Sequence, residues 1–198
     1  DGVKLLCCGK DLKVLKANDD KRLMVDSHDQ QYDVPVDEIL VGVGRTPNVE
    51  KIGLEAAGVH YDKNGIKVNA KMQTSNPNIY AAGDVCSRYK FTHAADAMAQ
   101  IVIQNALFPH PLSLGYANVE ALVMPWCTFT EPEVAHVGMY EKEAKQKGFE
   151  VETYTYKLDE VDRAILDGEE EGFARVHIQK GTDKILGATI VAAHAGEM

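Results

Sequence analysis

Along the first third of the chain, short apolar runs alternate with polar turns. "VKLL", "KRLMV" and "DEILVGVG" read as strands, separated by "KANDDK" and "SHDQQYD". The last of these strands, residues 37–43, is almost wholly apolar, which predicts burial on both faces. It runs into "GRTPN", where Gly44 permits close backbone approach and Pro47 blocks continuation. "EKIGLEAAGV" predicts a short helical turn ended by Gly58, and "DKNGIKV" a tight turn into a strand.

At residues 78–85, "NIYAAGDV", an apolar strand thins to two alanines and a glycine, then places Asp84 at its end. After the loop "CSRYKF", the pattern predicts a helix from Thr92 to Leu107, with Thr92 as its N-cap. Asp96, Gln100 and Gln104 form one i, i+4, i+8 polar stripe; the rest of the helix is mainly apolar and is expected to be buried on most sides. Residues 108–120, "FPHPLSLGYANVE", carry two prolines and a glycine without periodicity and read as a linker between domains.

Beyond the linker come "VMPWCTFT", "EVAHVG" and a charged helix, "YEKEAKQKG", with a Glu141–Lys145 pair. Three strands follow, "VETYTYKL", "GFARVHIQ" and "KILGATIVAA", the last two pairing through "KGTDK". An antiparallel sheet with helices on one face, an α+β module, is the expected outcome. Trp126 and Phe129 are expected in its core or at a subunit contact, and Arg163 at an interface or in an ion pair.

Composition narrows the function classes. The 198 residues are 45% apolar and 26% charged, a globular balance sufficient for one large or two small cores. A net charge of −9 argues against nucleic-acid or acidic-lipid surfaces, which need clustered Lys and Arg. The acidic run "LDGEEEG" reads as a solvated loop. No stretch has the length and purity of a membrane span, and no signal-peptide pattern opens the chain. The start at "DGVKLL" and the stop at "HAGEM" read as cut ends.

The four cysteines match neither C-x-x-C nor zinc-knuckle spacing, so reduced thiols in the cytoplasm are expected. Cys7 and Cys8 fall in a strand pattern, where neighbours point to opposite faces, and read as structural filler. Cys86 and Cys127 read as small hydrophobes. The histidines show no clustered spacing; no metal site is predicted, and most are expected at the surface or an interface.

The candidate chemistry centres on Asp84. A carboxylate at the carboxyl end of a strand can accept hydrogen bonds from sugar or ribityl hydroxyls, and ligands of open α/β sheets gather there. The helix beginning at Thr92 and His93 offers free N–H groups and partial positive charge to a carbonyl or developing anion. That combination fits a flavin. On local physics alone the same residues also read as a turn.

"MQTSNPNIYAAGDV", with Thr74, Tyr80, Ala81, Gly83 and Asp84, resembles the second flavin motif of the pyridine nucleotide–disulfide oxidoreductases. "GRTPN" resembles the segment closing that family's NAD(P) domain. "MPWCTFTEPEVAHVGMYEKEA" and "VDRAILDGEEEGFARVHI" resemble its dimerisation domain, and the overall wording is similar to mercuric reductase-like and dihydrolipoamide dehydrogenase-like members. The fold this implies is α/β plus α+β. Residues 1–107 would be the C-terminal portion of the FAD/NAD(P)-binding region, 108–120 the linker, and 121–198 a truncated dimerisation domain.

The resemblance implies FAD and NAD or NADP as cofactors. Asp84 would hold the flavin ribityl chain, Gly83 with the two alanines before it would make a flat surface for the flavin, and Lys90, Phe91, Thr92 and His93 would form the flavin-ring segment. Gly44 would lie beside the nicotinamide nucleotide, and Leu12 would cover the adenine. A homodimer through residues from about 121 onward is implied, with no nucleic-acid or membrane partner. The chain holds no C-x-x-x-x-C pair and no Gly-rich dinucleotide turn, and the family's His–Glu pair would come after Met198. It is therefore expected to be inactive alone. A non-catalytic dimerisation or binding module, and an NADH oxidase or coenzyme A disulfide reductase, are the alternatives.

Overall fold

A computed structural model describes residues 2–17 and 20–198. The chain divides into two compact units, residues 1–45 and 46–198.

In the first unit, β1 (Lys10–Ala17), β2 (Asp20–Ser27) and β3 (Gln30–Val36) form an antiparallel meander in that order. Ser27 faces Gln30 across a two-residue turn. Its His28 and Asp29 both take positive φ, 50° and 61°, which matches the twist of a tight hairpin. The turn expected at "KANDDK" centres on Asn18 and Asp19, which lie outside the described residues.

Two expectations fail in this unit. "VKLL" is not a strand: Cys8 turns the chain with a left-handed φ of 57°, and residues 3–6 have no partner among the described strands. Cys7 and Cys8 lie in that turn, both exposed, so neither fills a core. The buried Ser27 hydroxyl donates to the Cys7 carbonyl at 2.6 Å and ties the turn to β2. Residues 37–43 also form no strand, and Leu40, Val41 and Val43 are 98%, 72% and 85% exposed. An apolar run is buried on both faces only when strands flank it, and none of the described strands does.

The second unit opens with the expected helical turn. It closes at Gly58, φ 68°, with the Val59 N–H donating to the Leu54 carbonyl at 2.9 Å. β4 (Tyr61–Asp62) and β5 (Gly65–Ile66) form the tight hairpin. "NIYAAGDV" is not a strand: Tyr80 makes a single bridge to Gln73, and Gly83–Val85 is a 3-10 turn.

Helix α1 spans Thr92–Leu107. Thr92 is its first residue and not its cap; Phe91 holds the N-cap position in extended backbone, with no capping side chain. Burial is one-sided. Ala94, Met98, Ile101 and Asn105 form the inner stripe, packed with Met72, whereas Ile103 and Leu107 stay 51% and 75% exposed. The Asn105 amide donates to the Lys71 carbonyl at 3.1 Å and the Ala117 carbonyl at 2.9 Å, and its oxygen accepts from the Ala117 N–H at 2.8 Å. Residues of the 108–120 segment are thereby held against α1.

β6 (Trp126–Thr128), β7 (Glu133–Gly138), β8 (Val151–Lys157), β9 (Phe173–Gln179) and β10 (Ile185–Ala192) make a five-stranded sheet in the order β6-β7-β10-β9-β8. Every pairing is antiparallel, as the α+β reading requires. α2 (Glu141–Gln146) carries the Glu141–Lys145 pair at 2.6 Å, and α3 (Asp162–Asp167) an Arg163–Asp167 pair at 2.7 Å. Phe129 is 80% exposed and so is not core. His136 and His177 are buried within the sheet, and each meets a threonine hydroxyl on a neighbouring strand. No helix among the described residues is long and apolar enough to cross a membrane.

Candidate functional site

The site is built from the turn that carries Asp84 and the helix that follows it. Ahead of the turn, residues 69–80 fold back on themselves. The Thr74 N–H donates to the Ile79 carbonyl at 2.9 Å, and the Thr74 hydroxyl to the Asn76 carbonyl at 3.0 Å. The Asn76 amide reaches the Ala57 carbonyl at 2.8 Å. Ala81 N–H then donates to the Met72 carbonyl at 3.1 Å, which delivers Ala81, Ala82 and Gly83 to a fixed place.

Gly83 is buried with φ 81°, and a Cβ there would lie 3.0 Å from the Ala95 Cβ. Only glycine lets the 3-10 turn lie this close to the first turn of α1. The Cys86 and Ser87 N–H groups both donate to the Gly83 carbonyl at 3.1 Å. Asp84 is half-buried in this turn. Gly65, φ 121°, packs against the same turn from β5; a Cβ on it would overlap the Val85 carbonyl.

Lys90 closes the loop. Its ammonium donates to the Asp84 carbonyl at 2.9 Å and to the Ser87 carbonyl at 3.3 Å. Burial pushes the Cys86 thiol up to about 11, with the Lys90 charge drawing it back down. Cys86 is therefore an inert thiol in this loop. The chain then enters α1 at Phe91, whose ring stacks on His93 with centroids 5.4 Å apart. His93 Nε2 donates to the Pro125 carbonyl at 2.8 Å, so its imidazole is committed to that backbone. With no capping side chain and no acidic residue in the first turn, the N-terminus of α1 keeps its positive potential.

Gly83, Asp84, Lys90, Phe91, Thr92 and His93 are thus brought together by one turn, one loop and one helix end. Leu12, in β1 and 60% exposed, and Gly44, φ 96° in open surroundings, belong to the first unit. Sequence reasoning missed the role of Gly65 and the Lys90 contacts. "KNG" pointed only to a turn, and nothing in the pattern told that a loop lysine would fold back on its own carbonyls. The donor set fits a flavin: thin side chains before an acceptor carboxylate, and an uncapped helix end beside it.

Residues 2–99 match the family model described as pyridine nucleotide-disulphide oxidoreductase, and residues 124–198 match that family's dimerisation domain. Mercuric reductase from Staphylococcus aureus is 37% identical over 177 residues, 89% of this chain and 31% of that protein. Dihydrolipoyl dehydrogenase from Bacillus subtilis is 31% identical over 185 residues, 92% of this chain and 38% of that protein. Among solved structures, the HOCl-induced flavoprotein disulfide reductase RclA from Escherichia coli superposes with a TM-score of 0.75 at 25% identity, over 89% of this chain and 40% of RclA. The chain spans well under half the length of these relatives.

Proposed function

This chain belongs to the pyridine nucleotide-disulphide oxidoreductase family, and on that premise we propose that it works as the C-terminal portion of an FAD-dependent NAD(P)H:disulfide oxidoreductase of the mercuric reductase-like kind. The observation that carries the reading is the packing of the Gly83–Val85 turn beside the uncapped N-terminus of α1.

Within that reading, the Asp84 carboxylate accepts hydrogen bonds from the ribityl hydroxyls, and Gly83 permits the close approach. Lys90, Phe91, Thr92 and His93 form the flavin-ring segment, with the backbone near Thr92 facing the pyrimidine carbonyl, and the helix-end potential favours negative charge there. Gly44 sits by the nicotinamide nucleotide and Leu12 by the adenine. Flavin, when bound, supplies the passage of an electron pair from NADH or NADPH to a cysteine pair and on to a disulfide or Hg(II). Residues 1–107 act as cofactor-binding region, 108–120 as linker, and 121–198 as the domain through which a homodimer forms; the dimerisation-domain match beginning at 124 supports this division. A cytoplasmic setting suits four free thiols.

Flavin retention by the full-length protein carrying these residues tests the reading. Asp84→Ala is expected to release FAD while leaving the far-UV spectrum unchanged; undiminished retention would overturn it. The 198 residues alone, which hold no C-x-x-x-x-C pair, are expected to show no NAD(P)H turnover with a disulfide or Hg(II).

A further inference from the structure

We infer that Lys90 is the positioning residue of the proposed flavin site: it clamps the loop over residues 84–90 and so sets where the Asp84 carboxylate stands relative to the start of α1. The inference rests on the flavin reading above and adds a role within it.

The geometry is specific. One ammonium bridges two main-chain oxygens of the same loop, Asp84 O at 2.9 Å and Ser87 O at 3.3 Å. Asp84 lies in the 3-10 turn and Ser87 two residues past its end. Hydrogen bonds from a charged donor are about twice as strong as neutral ones. Tying Asp84 O restricts the backbone torsions of Asp84, and these aim its side chain. Tying Ser87 O restricts the return of the chain to Phe91, which is the N-cap of α1. Tyr89 N–H to Ser87 Oγ, at 3.0 Å, braces the same return. An acceptor carboxylate and a helix end must hold a fixed separation to grip one rigid ligand, and the Lys90 contacts span the loop between them.

Arginine and methionine differ from lysine here in instructive ways. Lys90→Met keeps the length and removes the donor. Lys90→Gln keeps one short donor without charge. Lys90→Arg keeps charge and more than one N–H.

The test has two arms. In the full-length protein carrying these residues, FAD release is measured for Lys90→Met, Asp84→Asn and the double variant. Lys90→Met is expected to weaken FAD retention roughly tenfold to a hundredfold, the scale for losing charged hydrogen bonds. Because Lys90 acts through Asp84, the double variant is expected to be little worse than the worse single. FAD loss in Asp84→Asn with full retention in Lys90→Met overturns the inference and leaves the site reading standing. Retention in both overturns the site reading itself. Multiplied losses mean that Lys90 meets the flavin independently, and also overturn the inference.

The second arm needs no flavin. The pH–rate profile of Cys86 alkylation is followed in the 198-residue chain by mass spectrometry of its peptide. If Lys90 holds the loop shut, Lys90→Met opens it, and the relief of burial, the larger of the two influences on this thiol, moves the profile down toward an ordinary thiol despite the lost charge. Lys90→Arg keeps the parent profile. Should Lys90→Met not fold, Lys90→Gln gives the same reading. An unchanged or raised profile, with α1 intact by circular dichroism, means that the loop stays closed without the lysine and overturns the clamp.

Discussion

His136 and Thr189 face each other across β7 and β10, with the imidazole Nδ1 2.8 Å from the threonine hydroxyl. Nε2 of the same ring lies 3.2 Å from the Gly138 carbonyl, which can only accept. Nε2 therefore carries the proton, and Nδ1 accepts from Thr189. Tyr140 stacks on the ring at 3.8 Å, and His177 makes the equivalent pairing with Thr153 two strands away from β7. This arrangement is satisfied by neutral imidazoles.

Burial lowers the pKa of both histidines below the ordinary 6.5; the Gly138 carbonyl and Glu143 oppose this for His136, with His177 adding to it, and Glu141 opposes it for His177, with Arg175 adding less. A depressed histidine pKa means that the folded state prefers the neutral ring. Its contribution is complete above the unfolded pKa of about 6.5 and declines as pH falls below that value, through the folded pKa. The melting temperature of the chain is expected to drop as pH falls below about 6.5. The drop should flatten in His136→Gln/His177→Gln; an identical slope in that variant counts against the assignment.

Asn105→Leu should destabilise the second unit by about 2–4 kcal/mol, because three backbone groups lose their partner in a buried setting. Urea unfolding reads the difference. A loss under 1 kcal/mol, roughly the value of one ordinary bond, is incompatible with the buried amide described.

Gly65→Ala should cost about 2–4 kcal/mol, since the added methyl overlaps the Val85 carbonyl and φ stays at 121°. Gly181→Ala, also at positive φ but with open space around it, should cost about 1 kcal/mol. Equal thermal shifts for the two would refute the close packing of β5 on the Asp84 turn.

Leu40→Ser/Val43→Ser should leave the melting temperature of the 198-residue chain unchanged and improve its solubility, because both side chains are almost fully exposed. A pronounced fall in melting temperature would show that the run is covered.

Local signals were legible wherever short-range chemistry decides. Thr92 to Leu107 read correctly as a helix because its alanines, Met98, glutamines and Leu107 outweigh the branched Ile101–Val102–Ile103 run, and Pro109 follows. The β4–β5 turn was written in "KNG", and the β9–β10 pairing in two strand-like runs around "KGTDK". Family membership was readable too, since ordered motifs lie along the whole chain.

What lies beside a segment was not legible. The run at 37–43 is apolar enough for a central strand, yet burial depends on neighbours the run does not encode. Cys7 and Cys8 fit a strand pattern, but a left-handed φ at Cys8 and the hydroxyl of Ser27, twenty positions away, make a turn. His136 and His177 show no useful spacing; strands β10 and β8 bring Thr189 and Thr153 to them. Periodicity and motif order thus determined α1, the β4–β5 turn, the strands of the C-terminal sheet and the family. Only the tertiary structure decided burial, proton placement and the Lys90 contacts, because each depends on partners that folding brings within a few ångströms.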